Sequence, residues 1–171
     1  MNVSFWLDYK EHKTDSLLEE FEGNVGHGNC TIFAEMIFRA QHINLMGFPW
    51  CATFVHAVIN RPDLLGRAHP GTRVLQRRMK RKRLWRDKSY RPRPGDLIFL
   101  SNTRTETVDH CGIVEKCYGS TVFSIEGNTW KTSKEESDVG TVARHVRDLS
   151  DTLIVGYASI GELWITENKG V

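Results

Sequence analysis

The sequence predicts an α+β domain, with helices first and an antiparallel sheet afterwards. Three observations carry this. Apolar residues recur at helical spacing as far as about residue 60. After Pro92 the pattern changes to short β-rich runs bounded by turn residues. The chain has 171 residues, 40% hydrophobic and 26% charged, enough to bury one full core without disulfide or metal staples.

Leu17, Leu18 and Phe21 stand at helical spacing behind Asp15 or Ser16 as a cap. They predict that residues 1–22 form an N-terminal extension, helical and packed on the outside. Gly23-Asn24-Val25-Gly26-His27-Gly28 ends it. A second helix is predicted from about Asn29 to His42, with Ile32, Phe33, Met36, Ile37 and Ala40 on one face. A third opens at Cys51 and stops before Pro62. Residues 61–72, rich in proline and glycine, read as an exposed loop. Pro94-Gly95-Asp96 then turns into a strand, Leu97 to Leu100. Residues 101–107 are a polar loop. Val108 to Lys116 and Thr121 to Ile125 read as two strands around Tyr118-Gly119-Ser120. Residues 129–140 are polar, and Val142 to Arg147 and Leu153 to Ala158 are late strands. The main domain is thus 23–162, with a C-terminal tail at 163–171.

The net charge of +2 hides an asymmetry. Of 23 Lys/Arg and 21 Asp/Glu, eleven and one fall between Arg73 and Arg93, leaving 12 against 20 elsewhere. Such a strip attracts an anionic polymer or lipid. Val74, Leu75, Met79, Leu84 and Trp85 are interleaved with it, so it also reads as an amphipathic connector with a solvated face. The strip alone assigns no function.

The four cysteines include no CxxC pair, and Cys111 and Cys117 are not at zinc-ligand spacing, so reduced thiols are expected. The N-terminus lacks a basic patch followed by an apolar core, which predicts no signal peptide and synthesis in the cytoplasm. No apolar run approaches the roughly 20 residues that span a bilayer.

Cys51 is the residue that points to chemistry. It follows the loop Met46-Gly47-Phe48-Pro49 and opens the apolar run Ala52, Phe54, Val55, Ala57, Val58, Ile59. A thiol at a helix N-terminus meets unsatisfied N–H groups and the positive end of the dipole, which favour the nucleophilic thiolate. A cysteine hydrolase also needs an imidazole and a group that orients it. His110, Glu126 and Asn128 supply these types. With a three-residue loop Tyr118-Gly119-Ser120, Gly112 faces Glu126 and His110 faces Asn128, all on one side of the sheet. A two-residue loop would put His110 and Glu126 on opposite sides. The arrangement therefore predicts an odd loop, with Gly119 left-handed beside a bulge. Gly112 leaves room beside the histidine, and Gly127 allows close approach of another backbone. The competing reading makes His110 an ordinary strand histidine and Glu126-Gly127-Asn128 a turn.

Four blocks in order decide between them: Pro49-Trp50-Cys51-Ala52-Thr53-Phe54-Val55, Arg93-Pro94-Gly95-Asp96-Leu97-Ile98-Phe99, Asp109-His110-Cys111-Gly112-Ile113-Val114 and Ile125-Glu126-Gly127-Asn128-Thr129. From about Gly23 to Ile160 the chain resembles a CHAP domain (cysteine, histidine-dependent amidohydrolase/peptidase), a branch of the papain-like hydrolases. The resemblance implies a papain-like fold with helices packed on an antiparallel sheet. It implies Cys51 as nucleophile, His110 as base, Glu126 as third member and Asn128 as assistant. It implies an amide substrate in peptidoglycan, such as the stem peptide, and no cofactor. Trp50 is either a substrate lid or a core anchor. Calcium occurs in some relatives, but no dedicated loop is visible; Glu35, Asp96 and Asp109 lack diagnostic spacing, and no metal is expected.

Departures are also legible. Ala52 follows the nucleophile where many relatives carry an acid. Cys111 beside His110 is unusual, and strand alternation aims it away from the site. Cys30, after Gly28-Asn29, is the rival nucleophile. His56 lies five residues after Cys51, about 140° around a helix, and is not expected beside the thiol. The expected role is that of a monomeric wall hydrolase acting after release or export, as a phage-type lysin or wall-remodelling enzyme. Its rivals are a polyamine- or glutathione-conjugate amidase, an antibacterial amidase toxin, and a non-catalytic polyanion-binding module using residues 73–93.

Overall fold

The computed structural model describes residues 3–130 and 139–165. Its centre is a six-stranded antiparallel sheet built from β1 (Trp85–Asp87), β2 (Leu97–Leu100), β3 (His110–Tyr118), β4 (Thr121–Thr129), β5 (Thr141–Asp148) and β6 (Ile154–Ala158). The spatial order is β1-β6-β2-β3-β4-β5. Five α-helices accompany it: α1 (Ile32–Gln41), α2 (Cys51–Ile59), α3 (Pro62–Leu65), α4 (Thr72–Arg81) and α5 (Gly161–Ile165). The α+β class is therefore as predicted, helices first and sheet afterwards. No helix among the described residues is long and apolar enough to cross a membrane.

Alternation along the strands makes two cores. Leu97, Phe99, Cys111, Ile113, Ile125 and Val142 face the helices. Ile98, Leu100, Val114, Val122, Ile154 and Tyr157 face the other way. All nine residues of α2 are buried, the pattern of a helix enclosed on every side. It packs on α1, β3, β4 and α4. Gly127 permits the closest of these approaches, since a Cβ there would sit 2.7 Å from both Phe54 Cβ and Trp50 Cζ3.

Helix α1 starts where Thr31 accepts a hydrogen bond from the Ala34 amide at 3.2 Å, and ends on His42 in the left-handed region. Helix α4 carries the basic strip. Leu75 and Met79, one turn apart, are fully buried, while Arg73, Arg77, Lys80 and Arg81 are exposed. Lys80 lies 5.0 Å over the Trp85 ring. The predicted turn at Pro94-Gly95-Asp96 is held by Asp96, which is buried. It accepts from the amides of Arg93 (2.8 Å), Ile160 and Gly161 (2.9 Å each) and from the Tyr90 hydroxyl (3.0 Å).

Three expectations need correction. Residues 1–22 are not an outer helix. Only Val3–Trp6 form a helical turn, a 3-10 one, and the segment then runs into the core. Tyr9 is fully buried, donating from its hydroxyl to Leu18 O (3.1 Å) and accepting from the Ile32 amide (2.7 Å). Its backbone bonds Val142 and covers the exposed edge of β5, satisfying groups that would otherwise invite another strand. The helical spacing is thus not that of a helix: Leu18 is buried and Phe21 packs on Trp6 and Tyr9, while Leu17 is exposed. Residues 61–72 are not all loop, because Leu64 and Leu65 of α3 are buried. Strand β1, pairing with β6, is hidden in the sequence by its cationic surroundings. The predicted tail at 163–171 overlaps α5, and its residues 166–171, like 131–138 of the predicted 129–140 loop, lie outside the described residues.

Candidate active site

Cys51 is the first residue of α2 and is 5% exposed. No side chain caps this end of the helix, so the dipole's positive end faces the sulfur without a competing acceptor. His110 is the first residue of β3, and Glu126 lies on β4. Because Gly127 faces α2, Glu126 points to the opposite side of the sheet, with Ser124 and Val122. His110, at the strand's end, connects the two sides. Its Nε2 lies 2.9 Å from Glu126 Oε2, and its imidazole and the Cys51 sulfur each shift the other's ionisation. With Nε2 engaged by the carboxylate, Nδ1 is the nitrogen left for the sulfur.

The register that makes this possible arises differently from expectation. Tyr118 pairs with Thr121, so the hairpin loop has two residues, Gly119-Ser120, with Gly119 at φ 57°. Alone, that register would separate His110 from Glu126. A bulge at Glu115, between the pairs Val114–Ser124 and Lys116–Phe123, restores it. Gly112 then sits against Glu126 as predicted: a Cβ there would fall 2.5 Å from Glu126 Cγ.

Glu126 is completely buried and fully satisfied. Ser124 donates to Oε1 at 2.5 Å, and Arg147 of β5 reaches Oε1 at 2.5 Å and Oε2 at 3.2 Å. Burial alone would raise its pKa, but the His110 hydrogen bond and the His110 and Arg147 charges hold it below the usual carboxylate range. For His110 burial opposes charging; hydrogen bonds and charges at Cys51 and Glu126 outweigh it and push the imidazole up to about 10. For Cys51 the Cys111 hydrogen bond is the strongest influence. Burial opposes it, but His110 and Thr72 add to it, and the thiol is held well below its usual range. These shifts favour a thiolate at Cys51 and an imidazolium at His110, beside a buried carboxylate.

The remaining candidates separate. Asn128 adopts φ 56° at a second bulge, between Glu126 and Thr129, with its Oδ1 beside Gly140. Among the described residues no hydrogen bond joins it to His110, so its expected assistance has no contact behind it; the bulge re-aims the side chain. Trp50 is fully buried, stacked on Phe33 and donating from Nε1 to Glu11 at 3.2 Å. It is a core anchor, and the substrate-binding assignment is corrected. Cys30 bonds Gly28 O, and burial with nearby Asp15 and Glu11 raises its thiol, which argues against the rival nucleophile. His56 is buried away from the pair and pushed down to about 3 by burial. Glu35 and Asp96 are engaged elsewhere, with Arg39 and with the 93–96 turn, and Asp109 caps Asn102. Cys111, expected to face away, instead has its sulfur 4.0 Å from the Thr72 hydroxyl that also reaches Cys51.

Thr72, Ser124 and Arg147 were not legible as site residues. Thr72 opens α4 with its hydroxyl 3.4 Å from Cys51 Sγ. Alternation along Val142–Arg147 would have placed Arg147 on one face, but not beside Glu126 without the β4–β5 register. A concavity of about 380 Å³ leads to the sulfur, lined by Phe48, Pro49, His69, Thr72, Arg73 and Val108 among others. It is mostly apolar, with Arg73 and Asp109 both in its lining.

A family model described as CHAP domain matches residues 21–128, well over half of the 171-residue chain. The chain belongs to the CHAP family. It therefore falls in a class of hydrolases, amidases and peptidases, and a papain-like fold agrees with its helices and antiparallel sheet. No curated protein and no solved structure matches it. The CHAP match begins at Phe21 and ends at Asn128, so it spans Cys51, His110 and Glu126 but neither Arg147 nor the Tyr9 segment.

Proposed function

We propose that this CHAP protein is a cysteine-dependent amidase or endopeptidase that cleaves an amide bond in bacterial peptidoglycan through a thioester. The Cys51–His110–Glu126 line carries the reading. Cys51 thiolate attacks the carbonyl carbon, and the negative charge moves to oxygen at the N-terminus of α2, where the Cys51 amide donates. His110 gives its Nδ1 proton to the departing amine. It then takes a proton from water, which attacks the thioester and releases the acid. Glu126 fixes the imidazole and stabilises its charged form throughout.

The exposed face of α4 begins at Arg73, next to the buried Thr72 that touches the sulfur, which supports contact between this basic surface and an anionic polymer of the wall. The protein is read as a monomer that reaches the wall after release or export. Purified peptidoglycan incubated with wild type and Cys51→Ala tests the reaction. Muropeptide masses that show a new amide cleavage with wild type alone support it and identify the bond. Equal digestion by a folded Cys51→Ala variant overturns it. Digestion of a polyamine or glutathione conjugate, with peptidoglycan untouched, would favour the same chemistry on another amide.

A further inference from the structure

Hydrolysis by this site uses one sulfur, but the site contains two. Cys111 is fully buried on the helix-facing side of β3. Thr72 Oγ1 lies 3.4 Å from Cys51 Sγ and 4.0 Å from Cys111 Sγ, so one hydroxyl touches both. The two sulfurs thus share one hydroxyl neighbour, and both are free thiols. Their access to solvent differs. Cys51 lines the open concavity, whereas Cys111 does not. A small oxidant entering there meets the activated sulfur first, with the second across the same Thr72 hydroxyl.

We propose that Cys51 and Cys111 form a peroxide-reactive thiol pair, in which Cys111 resolves oxidised Cys51 as an intramolecular disulfide. Cys51 thiolate attacks one oxygen of a hydroperoxide. The S–O bond forms, the O–O bond breaks, and the departing oxygen leaves with the His110 proton as water or an alcohol. Cys51 is then a sulfenic acid. The Cys111 sulfur attacks it, the S–S bond forms and the S–O bond breaks, and the hydroxyl leaves with the Cys111 proton as water. In sum two thiols lose two electrons, one hydroperoxide gains them, and one disulfide remains.

The geometry favours closure over further oxidation. A disulfide needs its sulfurs about 2.05 Å apart, and two thiols that flank one hydroxyl reach this by local movement. Without a resolving thiol, a sulfenic acid proceeds to the sulfinic and sulfonic acids, which thiol reductants do not reverse. Cys30, bonded to Gly28 O, and Cys117, near the hairpin turn, are not in contact with this pair and serve as positions to silence.

The test uses the full chain carrying Cys30→Ser and Cys117→Ser, exposed to hydrogen peroxide and followed by intact mass and peptide mapping. The expected result is loss of two hydrogens, a linked Cys51–Cys111 peptide, and loss of iodoacetamide labelling that dithiothreitol restores. Adding Cys111→Ser should give Cys51 bearing two or three oxygens and no recovery. Gain of those oxygens with no linked peptide while Cys111 is present overturns the proposal, whether or not the serine variant folds. Because mass is the readout, failure here leaves the peptidoglycan assay with Cys51→Ala unaffected, and the reverse also holds.

Discussion

Arg147 grips Glu126 through two contacts of 2.5 and 3.2 Å, and Glu126 in turn holds His110 at 2.9 Å. A cation on β5 thus helps His110 keep charged a carboxylate that contacts that imidazole two strands away. Replacing it with a neutral side chain leaves a buried anion with half its compensation. Arg147→Met is expected to cost about 3 kcal/mol or more in urea unfolding. Arg147→Lys, which keeps the charge but loses the fork, should retain part of both stability and activity. Unchanged stability in the methionine variant would contradict a buried, charged Glu126.

The nucleophilic pair predicts a broad pH profile. Cys51 is held below the ordinary thiol range and His110 is raised to about 10. Alkylation of Cys51 by iodoacetamide should therefore already be fast at neutral pH, falling only as acid protonates the thiolate. Hydrolysis should also fall above about 10, where His110 loses the proton it must donate. Stability follows the same sign. His110's contribution is fully present below its ordinary value of 6.5 and fades as pH rises through about 10.

Thr72 offers a hydroxyl to the thiolate. Thr72→Val keeps the shape and removes that donor, so the alkylation profile of Cys51 should move to higher pH. Turnover should drop about 10-fold, the scale of one hydrogen bond to a charged group. Thr72→Ser should restore both. A profile that does not move would show that the hydroxyl serves packing alone.

Gly112 tests the fit between β3 and the carboxylate. A methyl group there would meet Glu126 Cγ at 2.5 Å and Ile125 O at 2.9 Å. Gly112→Ala should cost about 1–3 kcal/mol from overpacking. By displacing Glu126 it should lower kcat/KM on the order of 100-fold. Thermal unfolding and turnover, measured together, separate the two effects.

Much of this site was present in local pattern. The apolar run after Cys51, the turn at Asp96 and the glycine opposite Glu126 each follow from chemistry within a few residues, and periodicity reads such features directly. The family blocks add the order in which nucleophile, base and acid occur. Other features depend on pairings distant in sequence. The two-residue turn was compensated by a bulge at Glu115, so the right register came by a different path. Trp50 could be core or surface until the Tyr9 segment was seen to cover it. Asn128 shares a strand with Glu126, yet its backbone conformation turns it elsewhere.

By itself the sequence determined the α+β class, the helix that opens at Cys51 and the choice of the three residues proposed for the reaction line. Tertiary structure alone decided which neighbours surround that line: Arg147 on Glu126, Thr72 on Cys51, and Cys111 on the same Thr72 hydroxyl, although alternation had aimed it away. The physical reason is range. Helix starts and strand alternation are set by adjacent residues, whereas the charge of a buried carboxylate or thiol is set by whichever groups packing brings into contact with it.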